Sequence, residues 1–289
     1  MKKIKQLIAR AKSLNGKVNE ELREVLWELV LYSPKVPVRL HQQQLLDEAV
    51  KFSLKVEDRH LSYKVLTFNG FKWGRGSRLI LLTHGWASKA ADFSELITAL
   101  LQLEEVTVIA FDAPGNGSSE GDLSHLLLYI ESLKAIIKTY GTPDVLIGHS
   151  LGVIANVMLL KEFEGIALPL LISLAPLIRL QENFIASMDA VDAGTDGKKA
   201  FMDKFMTHFN RPPSDLNMNH IYNLDGQLKH WLAYDEKDHI APYAYLKDFL
   251  IDHPSIDAQP YQNLGHEKLL RDPEVIARVR AQVESVLFV

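Results

Sequence analysis

The chain has 289 residues, 47% of them hydrophobic and 24% charged, a balance that suits a globular protein with a sizeable core and excludes disordered or low-complexity architectures. A net charge of −4 supplies no general attraction for nucleic acid. The absence of cysteine excludes disulfides, thiolate metal sites and a thiol nucleophile.

In chain order, Ile4, Leu7, Ile8, Ala11 and Leu14 recur at helical spacing, and so do Val18, Leu22, Val25, Leu26, Leu29 and Val30. Pro34 and Pro37 then stop the helical pattern, and Leu45–Phe52 reads as a further short helix. Residues 1–17 hold six Lys or Arg and no acid. Such a start suits an anionic membrane surface or a helix packed on the main domain with its charges solvated. The second reading is favoured because only one short stretch carries the bias. Lys5 and Arg10 interrupt what would be the apolar core of a signal peptide. The near-apolar stretch Gly165–Ile178 is too short to span a bilayer and contains Pro169 and Pro176. A cytoplasmic protein without stable membrane insertion is the expectation.

Beyond residue 52, short β-branched runs alternate with helical periods. Strands are predicted at Phe52–Glu57, Leu61–Phe68, Arg78–Thr83, Val106–Phe111, Val145–Ile147, Leu168–Leu174, Leu228–Tyr234 and Ile256–Tyr261. Helices are predicted at Ala91–Leu101, Leu123–Tyr140, Leu151–Phe163, Pro242–Ile251 and Pro273–Leu287. The first two strands read as a hairpin, and the alternation after them predicts an α/β fold with a mostly parallel central sheet flanked by helices. Arg179–Asn223 breaks the rhythm and reads as a mostly helical insertion. The expected organisation is an N-terminal helical extension (1–51), a core (52–178 and 224–289) and a small helical cap (179–223).

The strongest chemical signal is Gly148-His149-Ser150-Leu151-Gly152, between a predicted strand and a predicted helix. A serine on such a sharp turn needs small flanking residues, and the Leu151 amide at the start of the helix is free to bind a developing oxyanion. A second match to the pattern, Gly117-Ser118-Ser119-Glu120-Gly121, has no strand entering its turn and is read as a decoy. His266, in Asn263-Leu264-Gly265-His266-Glu267, follows the last predicted strand, where an open α/β sheet gathers its functional residues. The orienting carboxylate should follow the preceding strand, where Asp235, Glu236 and Asp238 are all candidates. Gly115-Asn116-Gly117 departs from a dinucleotide-binding turn, because the third glycine falls one place late at Gly121. His266-Glu267-Lys268-Leu269-Leu270 lacks the second histidine of a zinc motif. No cofactor and no metal are expected.

Together these motifs resemble those of the α/β-hydrolase fold superfamily over roughly residues 58–289, including small bacterial hydrolases with H-G-W and L-G-H pieces. Thr83-His84-Gly85-Trp86 resembles the family's oxyanion-hole motif, which implies that the Trp86 amide joins that of Leu151. Phe111-Asp112-Ala113-Pro114-Gly115-Asn116-Gly117-Ser118 is similar to the family's structural D-x-P-G-x-G-x-S loop. Asp235–Pro242 resembles the acid loop, whose aspartate lies four residues before a proline, and that alignment selects Asp238. Leu264-Gly265-His266 resembles the catalytic histidine loop. The helical region before residue 52 exceeds the minimal fold, and Asn116 stands where His or Arg is often seen. Trp86 and His149 are further candidates for contacting substrate.

The resemblance implies a carboxylesterase-like serine hydrolase. Ser150 attacks a small or medium ester, His266 takes its proton, and Asp238 orients the imidazole. A serine nucleophile argues against the fold's dehalogenases and epoxide hydrolases, which attack with aspartate. Thioester hydrolysis, carbon–carbon bond hydrolysis or a purely ligand-binding role remain alternatives, since one fold hosts many functions. In the insertion, Phe184, Ile185, Met188, Phe201, Phe205, Met206 and Phe209 recur at helical spacing. Most should glue the cap to the core, and a few should face the cleft.

Overall fold

The computed structural model describes residues 2–14, 19–162, 170–224, 226 and 228–288. Helices α1 (Lys2–Ser13), α2 (Glu20–Leu31) and α3 (Leu40–Glu48) precede a hairpin of β1 (Val50–Glu57) and β2 (Val65–Gly74). There follow β3 (Arg78–Thr83), α4 (Ser94–Leu100), β4 (Val106–Asp112), α5 (Leu126–Tyr140), β5 (Val145–His149), α6 (Leu151–Glu162) and β6 (Leu170–Leu174). Between β6 and β7 (Lys229–Asp235) lie α7 (Leu180–Asp189), α8 (Gly194–Phe209) and α9 (Met218–Ile221). The chain ends on α10 (Tyr243–Asp252), β8 (Asp257–Tyr261), α11 (Gly265–Lys268) and α12 (Pro273–Leu287).

The eight strands form one sheet in the order β1-β2-β4-β3-β5-β6-β7-β8. β1 with β2 and β2 with β4 pair antiparallel, and every later pair is parallel. Side chains alternate across the sheet with period two. Leu79, Leu81, Ile109, Phe111 and Leu146 therefore join one buried cluster, with α5 and α6. Ile80, Leu82, Val108, Ala110 and Ile147 join another on the opposite face, with α4 and α12. Burial on both faces explains why β3 to β6 read as unbroken apolar runs.

Three expectations shift. The short helix expected over Leu45–Phe52 is α3, ending at Glu48, and Val50–Phe52 belong to β1. Val50, Phe52, Leu54 and Val56 alternate in a strand period that pairs with β2. β2 starts at Val65, not Leu61, because the Asp58 carboxylate gathers the amides of His60, Leu61 and Ser62 into a turn. The helix expected from Ala91 begins as a 3-10 turn, Ala90–Phe93. The start of the strand expected at Leu168 lies outside the described residues.

Of the N-terminal helices, α2 packs on the insertion and α1 packs on α2. Leu7, Ala11 and Leu14 are buried, so the apolar face of α1 is covered by the protein itself. Trp27 of α2 sits 5.5 Å from Phe201, 6.4 Å from Phe205 and 4.9 Å from His208, ring centre to ring centre. His60 and His208 exchange hydrogen bonds, each Nδ1–H donating to the other's backbone carbonyl at 3.0 and 2.8 Å, so α8 is tied to the β1–β2 hairpin as well. A Trp27→Ala variant is expected to lose about 3–5 kcal/mol of stability, the usual range for a buried aromatic truncated to alanine. Urea unfolding would measure it. A midpoint within error of the parent would mean that α2 does not hold α8.

After Leu31 the chain runs as an extended strap over residues 32–39. Its anchors are Leu31 O, which accepts from the Ser124 amide at 2.9 Å, and Ser33 Oγ, which donates to Asn116 Oδ1 at 2.5 Å. Lys35 Nζ also donates to Ser119 O at 2.6 Å. The departure at Asn116 and the long N-terminal extension are thus one arrangement, because the buried amide of Asn116 receives the strap.

Candidate active site

Ser150 stands between β5 and α6 with φ of 53°. A non-glycine residue in that region is strained, and the strain fits a turn that lifts one side chain clear of the sheet. The small flanks are required sterically. A Cβ at Gly148 would come within 2.9 Å of Val153 Cα, and one at Gly152 within 2.2 Å of Thr83 O. The second pattern match does different work. Ser119 is buried, donates to Asp112 O at 2.5 Å and accepts from the Asn69 amide at 2.8 Å.

The acid loop after β7 separates its candidates. Asp238 Oδ2 accepts from His266 Nδ1 at 2.7 Å, while its Oδ1 takes the amides of Ile240 and Ala241 at 2.8 and 2.9 Å. Burial opposes the charge on Asp238. The His266 contact and the two amides outweigh it and hold the carboxyl below its ordinary pKa. Asp235 is also buried, and its Oδ2 binds the amides of Leu264 and Gly265 at 2.6 and 2.8 Å. Burial likewise opposes its charge, and the Gly265, Lys237 and Leu264 amides hold its pKa down. Asp235 therefore fixes the loop that carries His266. It does not face solvent, and nothing in the sequence marked this duty except its place at a strand end.

His149 donates from Nε2 to the backbone carbonyl of His266 at 3.1 Å, and its Nδ1 is buried without a partner among the described residues. Burial, with the nearby His266 charge, pushes its pKa down to about 3, so it is neutral at ordinary pH. It borders the cleft and braces the His266 loop together.

After β3, His84 is fully buried and burial lowers its pKa. Its Nε2 accepts from the Ala113 amide at 3.0 Å, which leaves Nδ1–H to donate to Gly85 O at 2.6 Å. The Gly85 carbonyl also accepts from Tyr129 at 3.1 Å. These bonds fix the backbone that presents Trp86. The Leu151 amide opens α6 and so has no acceptor within its own helix.

Ser150, Leu151, Trp86, His149 and His266 line one cleft of about 440 Å³. Asp238 lies behind His266. From the insertion, Leu180, Asn183, Phe184 and Ser187 form a wall. Phe205 and Phe209 reach only a small apolar recess behind Trp86 and Leu151, which Leu31, Leu126, Leu180, Phe184 and Leu216 also line. Phe201 and Met188 are buried away from both spaces, and Met206 faces solvent. The strap also lines the cleft through Val36, Pro37 and Arg39, a contribution the sequence did not announce, since an extended segment carries no periodicity. Across the strap, a groove of about 720 Å³ lined by Lys35, Lys51 and Phe52 contains none of Ser150, Asp238 and His266.

Residues 80–282 match the Alpha/beta hydrolase family, so the chain belongs to that family. No curated protein matches the sequence. Among solved structures, an esterase of Pyrococcus furiosus superposes with a TM-score of 0.60 at 18% identity, over 89% of this chain and 97% of that one. A thermophilic esterase of Thermogutta terrifontis gives 0.55 at 16% identity, covering 81% and 99%. The ferulic acid complex of Est1E from Butyrivibrio proteoclasticus gives 0.57 at 15%, covering 77% and 96%. At these identities the likeness is one of fold. No helix among the described residues is long and apolar enough to cross a membrane.

Proposed function

We propose that the protein is a serine esterase acting on small or medium carboxylic esters through Ser150, His266 and Asp238. The observation that carries the reading is the strained turn at Ser150 opening into the same cleft as His266, whose Nδ1 is held by the low-pKa carboxylate of Asp238. With Nδ1–H committed to Asp238, the free Nε2 is the base that takes the Ser150 proton as Oγ attacks the ester carbonyl. The amides of Trp86 and Leu151 bind the tetrahedral oxyanion, each contributing about 3 kcal/mol to the barrier reduction. His266 returns the proton to the leaving alcohol, then activates water to release the acid. The names of the neighbouring structures agree with ester chemistry.

The apolar recess behind Trp86 and Leu151 lies next to the oxyanion amides and is closed by Phe205, Phe209 and Leu216. At about 20 Å³ it has room only for the end of a short acyl chain whose remainder lies in the cleft. Across p-nitrophenyl esters from acetate to palmitate, kcat/KM is expected to peak at about C2 to C8. A peak at C12 or beyond, or no turnover of any ester, would overturn the proposal.

A further inference from the structure

Among the side chains that line the cleft, cations outnumber anions, and the ionised Asp238 behind His266 is committed to that imidazole. Arg39, Lys89 and Arg271 stand against Asp92 and Glu267, while His149 is neutral. Lys89 is already committed to Asp92, Nζ to Oδ1 at 3.1 Å. Among the described residues, neither the Arg39 nor the Arg271 guanidinium has a carboxylate within ion-pair distance, and Glu267 is likewise unpaired. Two uncommitted guanidiniums thus face one uncommitted carboxylate, in a chain whose net charge is −4. Arginine forks match carboxylate and phosphate oxygens in geometry, and surface arginines in a protein of this sign have no general reason to gather at a cleft.

Their position selects a part of the substrate. The apolar recess behind Trp86 and Leu151 includes neither arginine. Arg271 follows the short helix that carries His266, and Arg39 stands on the strap that forms another border of the same cleft. In acyl transfer the histidine gives its proton to the leaving group, so the His266 side of the cleft is the side of the alcohol.

Resting on the esterase reading, we infer that the natural substrate is an ester whose alcohol portion carries an anionic group, a carboxylate or phosphate, bound between Arg39 and Arg271. The acyl portion stays short and apolar, with its end in the recess. Glu267 at the same border opposes an anionic alcohol, but less strongly than the two arginines favour it.

The test pairs 4-acetoxybenzoate with its methyl ester, which share an acyl group and differ by one charge on the alcohol side. With each kcat/KM divided by the ester's own alkaline hydrolysis rate, the anionic ester is expected to be favoured about tenfold. Arg39→Gln and Arg271→Gln should each reduce that ratio about threefold, mainly through KM, and the double variant should bring it near one. Raising ionic strength from about 0.02 to 0.3 M should lower the parent's ratio without any substitution. A parent ratio of one or less, or a ratio that neither salt nor the substitutions move, overturns the inference. If neither these esters nor any p-nitrophenyl ester is turned over, the esterase reading fails instead. Calorimetry with 4-hydroxybenzoate then decides the inference separately, requiring binding to the parent that weakens in both variants. Absence of that binding overturns it.

Discussion

Replacing Ser150 with Ala is expected to lower kcat on a good ester about a millionfold, to the level left by the oxyanion amides and substrate binding alone. The effect is this large because the nucleophile and its base act as one unit. Without Oγ, the proposed mechanism would leave His266 no proton to take and Asp238 an imidazole to orient with no function. The same variant should lose labelling by a fluorophosphonate probe, which should react once with the parent. Ser119→Ala should keep its labelling, since Ser119 Oγ is occupied by Asp112 O and the Asn69 amide inside a buried loop. Labelling that survives Ser150→Ala and disappears with Ser119→Ala would reverse the assignment. Stability should move little with Ser150→Ala, or rise slightly, because alanine removes a polar group from a strained and buried position.

Asp238→Asn should cost about ten-thousandfold in kcat. An amide NH₂ facing His266 turns the imidazole toward the tautomer whose proton sits on Nε2, where it can no longer accept from Ser150. In the proposed mechanism the carboxylate would also stabilise the imidazolium formed in each half-reaction, and an amide supplies no charge. Asp235→Asn makes the informative comparison. Its carboxylate touches backbone amides at Lys237, Leu264 and Gly265 and no imidazole, so its loss loosens the His266 loop but leaves the tautomer intact. The expected loss is about tenfold, with Asp235→Glu recovering part of it. Equal losses at the two positions would show that the 2.7 Å contact between Asp238 and His266 is not the functional one.

The sequence made β3 to β7 and the residues at their carboxyl ends legible for one physical reason. Strands buried on both faces must be apolar, so each ends visibly where polar chemistry begins, as at Thr83-His84 and Tyr234-Asp235. The choice between Asp235 and Asp238 was legible only through the family's spacing, because both are buried aspartates accepting backbone amides and differ in what their remaining oxygen meets. Only the start of β1 was obscured, at Val50–Lys51, because its alternation is half-buried at a sheet edge and abuts the helical run of α3. The strap was hidden for another reason. It is held by hydrogen bonds to residues 116, 119 and 124, and long-range pairing leaves no local pattern. Arg39 and Arg271 belong to the same class, ordinary surface charges until folding sets them on one cleft.

The docking of α2 on α8 sets an order of events during synthesis. Leu22, Leu26 and Trp27 leave the ribosome early, but the aromatic face that covers Trp27, from Phe201 to Phe209, is made some 175 residues later. At roughly 5–20 residues per second, that apolar surface waits about 10–35 seconds for its partner. The strap waits less, since its anchors at Asn116, Ser119 and Ser124 follow within a hundred residues. The nascent chain therefore passes through a stage in which the sheet is half built and an amphipathic helix with a bare tryptophan is tethered beside it. This is the kind of surface that holding chaperones recognise and that crowded nascent chains share with one another. Slowing translation between α6 and α8 would lengthen the exposure, and yield in a chaperone-poor host should fall accordingly.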